Sequence, residues 1–164
     1  SLFKNKFIMR DGHGDLFRSY SGLVGEAPET TTFRRFVTKY LRPDFRALDL
    51  HVLPQSRHLK RFRYTDPIPI RDLRRRMALI IGDDLAGRFF AKPVNSTTEG
   101  GLIDLPNAPD IEARDLALRF HSDGEMPSDQ SLLDIDLRDR LQDLYASDLA
   151  MIEKIEAQAS RAAA

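Results

Sequence analysis

Apolar residues recur at helical intervals in three stretches of the chain. Phe33, Phe36, Val37, Tyr40 and Leu41 fall three and four residues apart, the period of one helix face. Thr31-Thr32 precedes them, with a Thr as N-cap, and Pro43 ends the run, so a helix is predicted between these signals. Leu73, Met77, Ile80 and Ile81 predict a second helix from Ile70 to about Gly82, with Arg74, Arg75 and Arg76 mostly on its wet side. The clearest pattern is the last: Leu137, Leu141, Leu144, Tyr145, Leu149, Ile152 and Ile155 share one face. They predict a closing helix whose Ala-rich tail, 157–164, frays.

Between these stretches the pattern is weaker. Arg10-Asp11-Gly12-His13-Gly14-Asp15 has the glycines and aspartates of a loop. Residues 16–30 mix Gly, Ser, Thr and Pro and are read as irregular, and 44–63 are basic and aromatic without a period. Phe62-Arg63-Tyr64-Thr65-Asp66 predicts a short strand closed by Pro67 and Pro69. A polar loop is expected from Pro93 to Pro109, and a loop of that length in a compact domain is usually functional or disordered. No internal repeat is present.

Length and composition narrow the classes. At 164 residues, 41% hydrophobic and 30% charged, the chain is one globular domain's worth of sequence, with enough length to bury a core. No window approaches the roughly 18 consecutive apolar residues of a membrane span. The chain starts at Ser1 without an initiator Met and without a signal-peptide layout, so it is expected to begin partway along a longer protein. It contains no cysteine, which excludes a disulfide framework, a thiolate zinc site and a Cys nucleophile, and points to a reducing cytoplasm. The formal charge is zero, but residues 1–76 hold 17 Lys/Arg against 8 Asp/Glu and residues 77–164 hold 8 against 17. A basic half can attract a phosphorylated or sulfated ligand; equally, the two halves can pair with each other across the fold.

Candidate chemistry is sparse. His13, His51, His58 and His121 form no pair at ligand spacing, so no metal site is predicted. There is no G-x-S-x-G elbow, no P-loop and no dinucleotide glycine fingerprint. The Arg-rich segment 57–76 interleaves with Phe62 and Tyr64, as strand-binding surfaces do. The neutral total and the lack of a nucleic-acid motif favour a solvated, salt-bridged face, so no nucleic-acid partner is expected. Asn95-Ser96-Thr97-Thr98-Glu99-Gly100-Gly101 offers side-chain donors and free backbone N–H groups of the kind that hold an anion.

Several of these segments, taken in order, resemble the Golgi-type carbohydrate sulfotransferases. Ser1-Leu2-Phe3-Lys4-Asn5-Lys6-Phe7 is similar to the end of the family's Arg…Ser-x-Tyr-x-x-Lys-Phe segment. Phe33-Arg34-Arg35-Phe36-Val37, followed by Leu50-His51-Val52-Leu53-Pro54-Gln55-Ser56, resembles the family's helix and its His-Trp-x-Pro-Gln segment, with Val52 in place of the Trp. Arg63-Tyr64-Thr65-Asp66 stands where the family has a Tyr-Asp strand, and Arg71-Asp72-Leu73 replaces the Glu-Asn-Leu that follows it. Lys92-Pro93-Val94-Asn95-Ser96-Thr97-Thr98-Glu99 is similar to the Pro-x-x-Asn-Ser loop. Leu137-Arg138 through Tyr145-Ala146-Ser147-Asp148 matches the closing helix in outline.

The resemblance spans most of residues 1–155 and implies an α/β, P-loop-like sulfotransferase fold. This chain would supply its mainly helical C-terminal portion, with the parallel sheet and donor loop upstream, and residues 1–164 would all belong to that one domain. The implied activity is transfer of a sulfuryl group from 3′-phosphoadenosine 5′-phosphosulfate to a hydroxyl of a carbohydrate or related acceptor, without a metal. Ser1 is then expected to contact the 3′-phosphate, and Asn95, Ser96, Thr97 and Thr98 to close over the nucleotide. Lys4, Arg57, Lys60 and Arg61 are expected to face an anionic acceptor. In the family's better-understood members the catalytic base lies upstream; His51 is the candidate within this chain, set against a structural role for the same ring. Tyr145 and Asp148 are expected to brace the fold. The rival reading is a non-catalytic anion-binding or interaction module on the same scaffold.

Overall fold

The computed structural model describes residues 2–9, 14–59, 68–91 and 101–162. In chain order the elements are a π-helical segment Lys4–Met9, α1 (Asp15–Val24), α2 (Phe33–Arg35, running on into a π-helical turn Phe36–Tyr40), α3 (Gln55–His58), α4 (Leu73–Ile81), α5 (Asp83–Phe90), β1 (Gly101–Ile103), α6 (Ala113–Asp123), β2 (Glu125–Pro127), α7 (Asp129–Leu132), α8 (Ile135–Leu144) and α9 (Ala146–Ala162). Short 3₁₀ turns lie at Pro28–Thr30, Leu50–Val52, Ile70–Asp72 and Ala108–Asp110. The described residues are mostly helical, and the chain divides into two compact units: Ser1–Leu53 with Thr97–Tyr145, and Pro54–Ser96 with Ala146–Ala164.

The first unit holds an aromatic core. Phe3 stacks on Phe7 at 4.9 Å between ring centroids, Phe7 meets Phe17 at 4.7 Å and Phe36 at 5.3 Å, and Phe36 stacks on Tyr40 at 5.4 Å. Each such side chain contributes about 1.5–3 kcal/mol by leaving water. The predicted helix after Thr32 forms as expected at its start: Thr32 Oγ1 accepts the Arg35 N–H at 3.1 Å and so caps the first turn. Its second half winds more loosely, with the Leu41 N–H bonded to the Phe36 carbonyl five residues back at 3.1 Å. Phe33, Phe36, Val37 and Tyr40 are all buried.

Two sequence expectations are corrected in this unit and a third where it ends, at Tyr145. Residues 16–30 are not irregular throughout, because Leu16, Phe17 and Tyr20 turn one face of α1 into the core and Gly25, at φ +75°, closes the helix in the left-handed region. The loop expected through Pro109 gives way at Gly101 to β1, which pairs in parallel with β2 (Gly101 with Glu125, Leu102 with Met126, Ile103 with Pro127). Parallel pairing needs a crossover, and α6 supplies it while packing on the Lys4–Met9 segment. The closing helix is two helices, broken at Tyr145, whose N–H still bonds the Leu141 carbonyl at 3.0 Å. Asp134 caps α8 by accepting the Leu137 N–H at 2.9 Å.

In the second unit α4 and α5 pack as a helical hairpin that turns at Gly82, φ +85°. Leu73, Met77 and Ile81 are half-buried, but Ile80, expected on the apolar face, is 64% exposed. The helix carries its apolar residues around more of its circumference than one face can cover. α3 packs against α9, and Arg71 pairs with Glu156 at 2.6 Å. α9 stays helical to Ala162, past the point at 157 where fraying was expected. The strand expected at 62–66 lies outside the described residues.

Candidate functional site

The donor-binding residues read from the sequence, Ser1, Asn95, Ser96, Thr97 and Thr98, lie outside the described residues, as do Lys60 and Arg61 on the acceptor side. Lys4 and Arg57 are described. Lys4, expected to face an anionic acceptor, is instead 4% exposed, with Nζ 2.6 Å from Asp129 Oδ1. An ammonium removed from water needs a partner carboxylate, and Asp129 fills that need, its own carboxyl held below the ordinary range by the Lys4 hydrogen bond. Arg57 stands exposed near the end of α3.

His51 sits in the short 3₁₀ turn that follows Asp49. The Asp49 carboxylate accepts the His51 backbone N–H at 2.9 Å and lies 2.6 Å from His51 Nδ1. The carboxylate is 7% exposed, whereas the imidazole is 62% exposed. The segment that delivers this pair is wired to the core. The Asp49 N–H donates to the Tyr40 hydroxyl at 2.9 Å, that hydroxyl shares a hydrogen bond with Ser19 Oγ at 2.8 Å, and Ser19 Oγ donates to the Ala47 carbonyl at 3.0 Å. Burial raises the Tyr40 pKa, so its phenol stays protonated for this network. Just upstream, Phe45 and Ala47 hold φ of +53° and +57°, a left-handed backbone that costs a residue with a side chain about 1–3 kcal/mol.

The Pro-Gln segment that follows is held from the other end of the chain. In the first unit the Tyr145 hydroxyl donates to the Val52 carbonyl at 2.6 Å. In the second, the buried Asp148 carboxylate accepts the backbone N–H groups of Gln55 at 2.5 Å and Ser56 at 3.0 Å, while Ser56 Oγ and Ser147 Oγ sit 3.2 Å apart. Asp148 thus satisfies the orphan donors at the start of α3, where Pro54 occupies the cap position and offers no side-chain acceptor. Both contacts are bracing ones.

Two further constellations escaped the sequence reading. Arg34 forks onto Asp110 (2.7 and 3.0 Å) and reaches Asp134 at 2.7 Å, which raises its pKa further. No sequence spacing announces this three-way contact, since its members are far apart in the chain. A shallow cleft of about 270 Å³ is lined by Pro43, Arg140, Asp143 and Leu144. Its guanidinium is engaged with the carbonyls of Val37 at 3.1 Å and Thr38 at 3.3 Å, so it ties α8 to the π-helical turn.

No family model, curated protein or solved structure matches this chain. Among the described residues, no helix is long and apolar enough to cross a membrane, and no group of three or more His, Asp or Glu side chains is placed to hold a metal ion.

Proposed function

We propose that this chain is the C-terminal part of a P-loop-like sulfotransferase domain. The proposed reaction transfers a sulfuryl group from 3′-phosphoadenosine 5′-phosphosulfate to a hydroxyl of a carbohydrate or related acceptor. The observation that supports this reading most is the hydrogen bonding between two segments the resemblance singles out. Tyr145 holds Val52 and Asp148 holds Gln55 and Ser56, so the His-x-x-Pro-Gln stretch and the Tyr-x-x-Asp helix, distant in sequence, depend on each other. Sulfuryl transfer is an in-line displacement in which charge spreads over the equatorial oxygens, so catalysis rests on positioning, on charge stabilisation and on a base for the acceptor hydroxyl.

In this reading Ser1 contacts the 3′-phosphate and the Asn95–Thr98 loop closes over the nucleotide. Arg57, Lys60 and Arg61 face an anionic acceptor, and Lys4 is left out because Asp129 already matches its charge. A reducing cytoplasm belongs to the same proposal and rests on the absence of cysteine.

The test is calorimetric titration of 3′-phosphoadenosine 5′-phosphate into the intact protein and into its Thr97→Ala and Thr98→Ala variants. Each lost hydrogen bond to a charged oxygen is expected to weaken binding about 10-fold or more. Unchanged affinity in the variants would sink the loop assignment. No binding to the wild type would sink the function.

A further inference from the structure

In the second unit Pro54, Ala86 and Asp148 are buried, and no large apolar side chain among the described residues is. The apolar side chains of its helical hairpin lie instead at the surface. On α4, Leu79 and Ile80 are exposed beside the turn at Gly82. On α5, Leu85 and Phe89 stand one helical turn apart and are 47% and 62% exposed. Single exposed apolar residues are ordinary, but four of them on two short adjoining helices form a patch, and a patch marks an interaction surface.

The charges around this patch are sorted by end. Asp83 and Asp84 stand at the turn, at the start of α5 and next to Leu85. Arg74, near the start of α4, and Arg88, near the end of α5, stand at the open end of the hairpin, where the Arg88 guanidinium lies 5.5 Å from the centre of the Phe89 ring. Neighbouring Arg71 and Arg75 are paired with Glu156 and Asp72, whereas Arg74, Arg88, Asp83 and Asp84 have no ion-pair partner among the described residues. A surface that is apolar along its length and opposite in charge at its two ends complements itself when a second copy is turned end for end. The acidic turn of each hairpin then meets the basic open end of the other, twice over, and Ile80 and Leu85 meet the partner's Phe89. An anionic membrane fits this face worse, because Asp83 and Asp84 flank the apolar residues at the turn.

We propose that the α4–α5 hairpin is a homodimerisation surface, on which a second copy of this chain sits antiparallel across a two-fold axis to form a four-helix arrangement. The helices are short, so the contact lies at the small end of specific interfaces, and the dimer is expected to dissociate within about 1–100 µM. This inference does not depend on the sulfotransferase reading.

The test is sedimentation equilibrium of the full chain across that range, with helical circular dichroism as the check on folding. Wild-type protein is expected to pass from monomer to dimer. Two charge-reversed variants, one carrying Asp83→Lys with Asp84→Lys and the other Arg74→Glu with Arg88→Glu, are each expected to dimerise at least about 10-fold more weakly. Mixed in equal amounts, they are expected to associate at least as tightly as the wild type, since each offers the other the charge it has lost; that rescue also shows that both fold. Phe89→Asp, at an exposed position, is expected to abolish the dimer and keep the circular dichroism. Wild-type protein that stays monomeric throughout overturns the proposal. So does a dimer that tolerates Phe89→Asp, or a pair of folded charge variants whose mixture gains nothing. Monomeric wild-type protein that sediments with phosphatidylserine-containing vesicles overturns the second copy and makes the face a membrane surface.

Discussion

At the scale of single residues, Asp148 carries the largest predictable effect on stability. It is buried, and each of its two oxygens accepts one backbone N–H from the first turn of α3. Asp148→Ala removes both acceptors and strands two donors that Pro54 cannot serve, an outcome that costs about 1–3 kcal/mol. The urea midpoint of the variant should fall accordingly, with the Gln55 and Ser56 amides exchanging first. Tyr145→Phe deletes one hydroxyl donor to Val52 and leaves a carbonyl with a second lone pair to hydrate, so its cost should be smaller, about 0.5–1.5 kcal/mol. If the two variants lose equal stability, the Asp148 carboxylate is not acting as a cap.

At the scale of elements, the best test is the helix after Thr32, where local signals and structure agree. Thr32→Ala removes the Oγ1 that accepts the Arg35 N–H, and should destabilise the protein by about 0.5–2 kcal/mol while Thr32→Ser restores most of it. Equal unfolding midpoints for Ala and Ser would show that the hydroxyl does not cap. This helix was legible because cap, apolar spacing and Pro stop all lie within a few residues of one another. α1 was not, because Ser19, Ser21 and Gly22 dilute the pattern although Leu16, Phe17 and Tyr20 share a buried face. β1 and β2 are three residues each and are defined only by pairing with one another, a non-local fact that no window of sequence contains. The break at Tyr145 was hidden for the opposite reason: helical spacing continues through it, and a hydroxyl contact with Val52 accompanies the break. The candidate site divides in the same way. His51 could be singled out from its motif, but an Asp two residues before a His is ordinary in sequence, and only the burial of Asp49 beneath an exposed ring sets the pair apart.

At the scale of the whole molecule, the charge asymmetry of the sequence is partly internal. Lys4 with Asp129, Arg34 with Asp110 and Asp134, and Arg71 with Glu156 each join a residue of the basic half to one of the acidic half, every pair within a single unit. Three carboxyls held below their ordinary range make stability depend on pH in a direction that can be worked out. The Asp129 carboxyl is held down by Lys4, that of Asp134 by the Leu137 N–H and then by Arg34, and that of Glu26 by Lys39. A depressed folded-state value means that the unfolded chain takes up protons first as the solution is acidified. The stabilisation is therefore complete above about pH 4–5 and is lost as pH falls through the lower folded values. Tyr20 and Tyr40 act at the other end, since burial raises both; their contribution is full below about pH 10 and is lost as pH rises beyond it. All five groups belong to the unit Ser1–Leu53 with Thr97–Tyr145, so that unit should set both limbs of a plot of Tm against pH. Asp134→Asn keeps an oxygen to cap α8 but removes the titrating group and the charge opposite Arg34. Its plateau should lie below that of the wild type and its acid limb should be flatter, so that the two curves converge as pH falls toward about 2–3. Parallel curves across the whole range would show that the Arg34–Asp134 contact contributes nothing to folding through its charge.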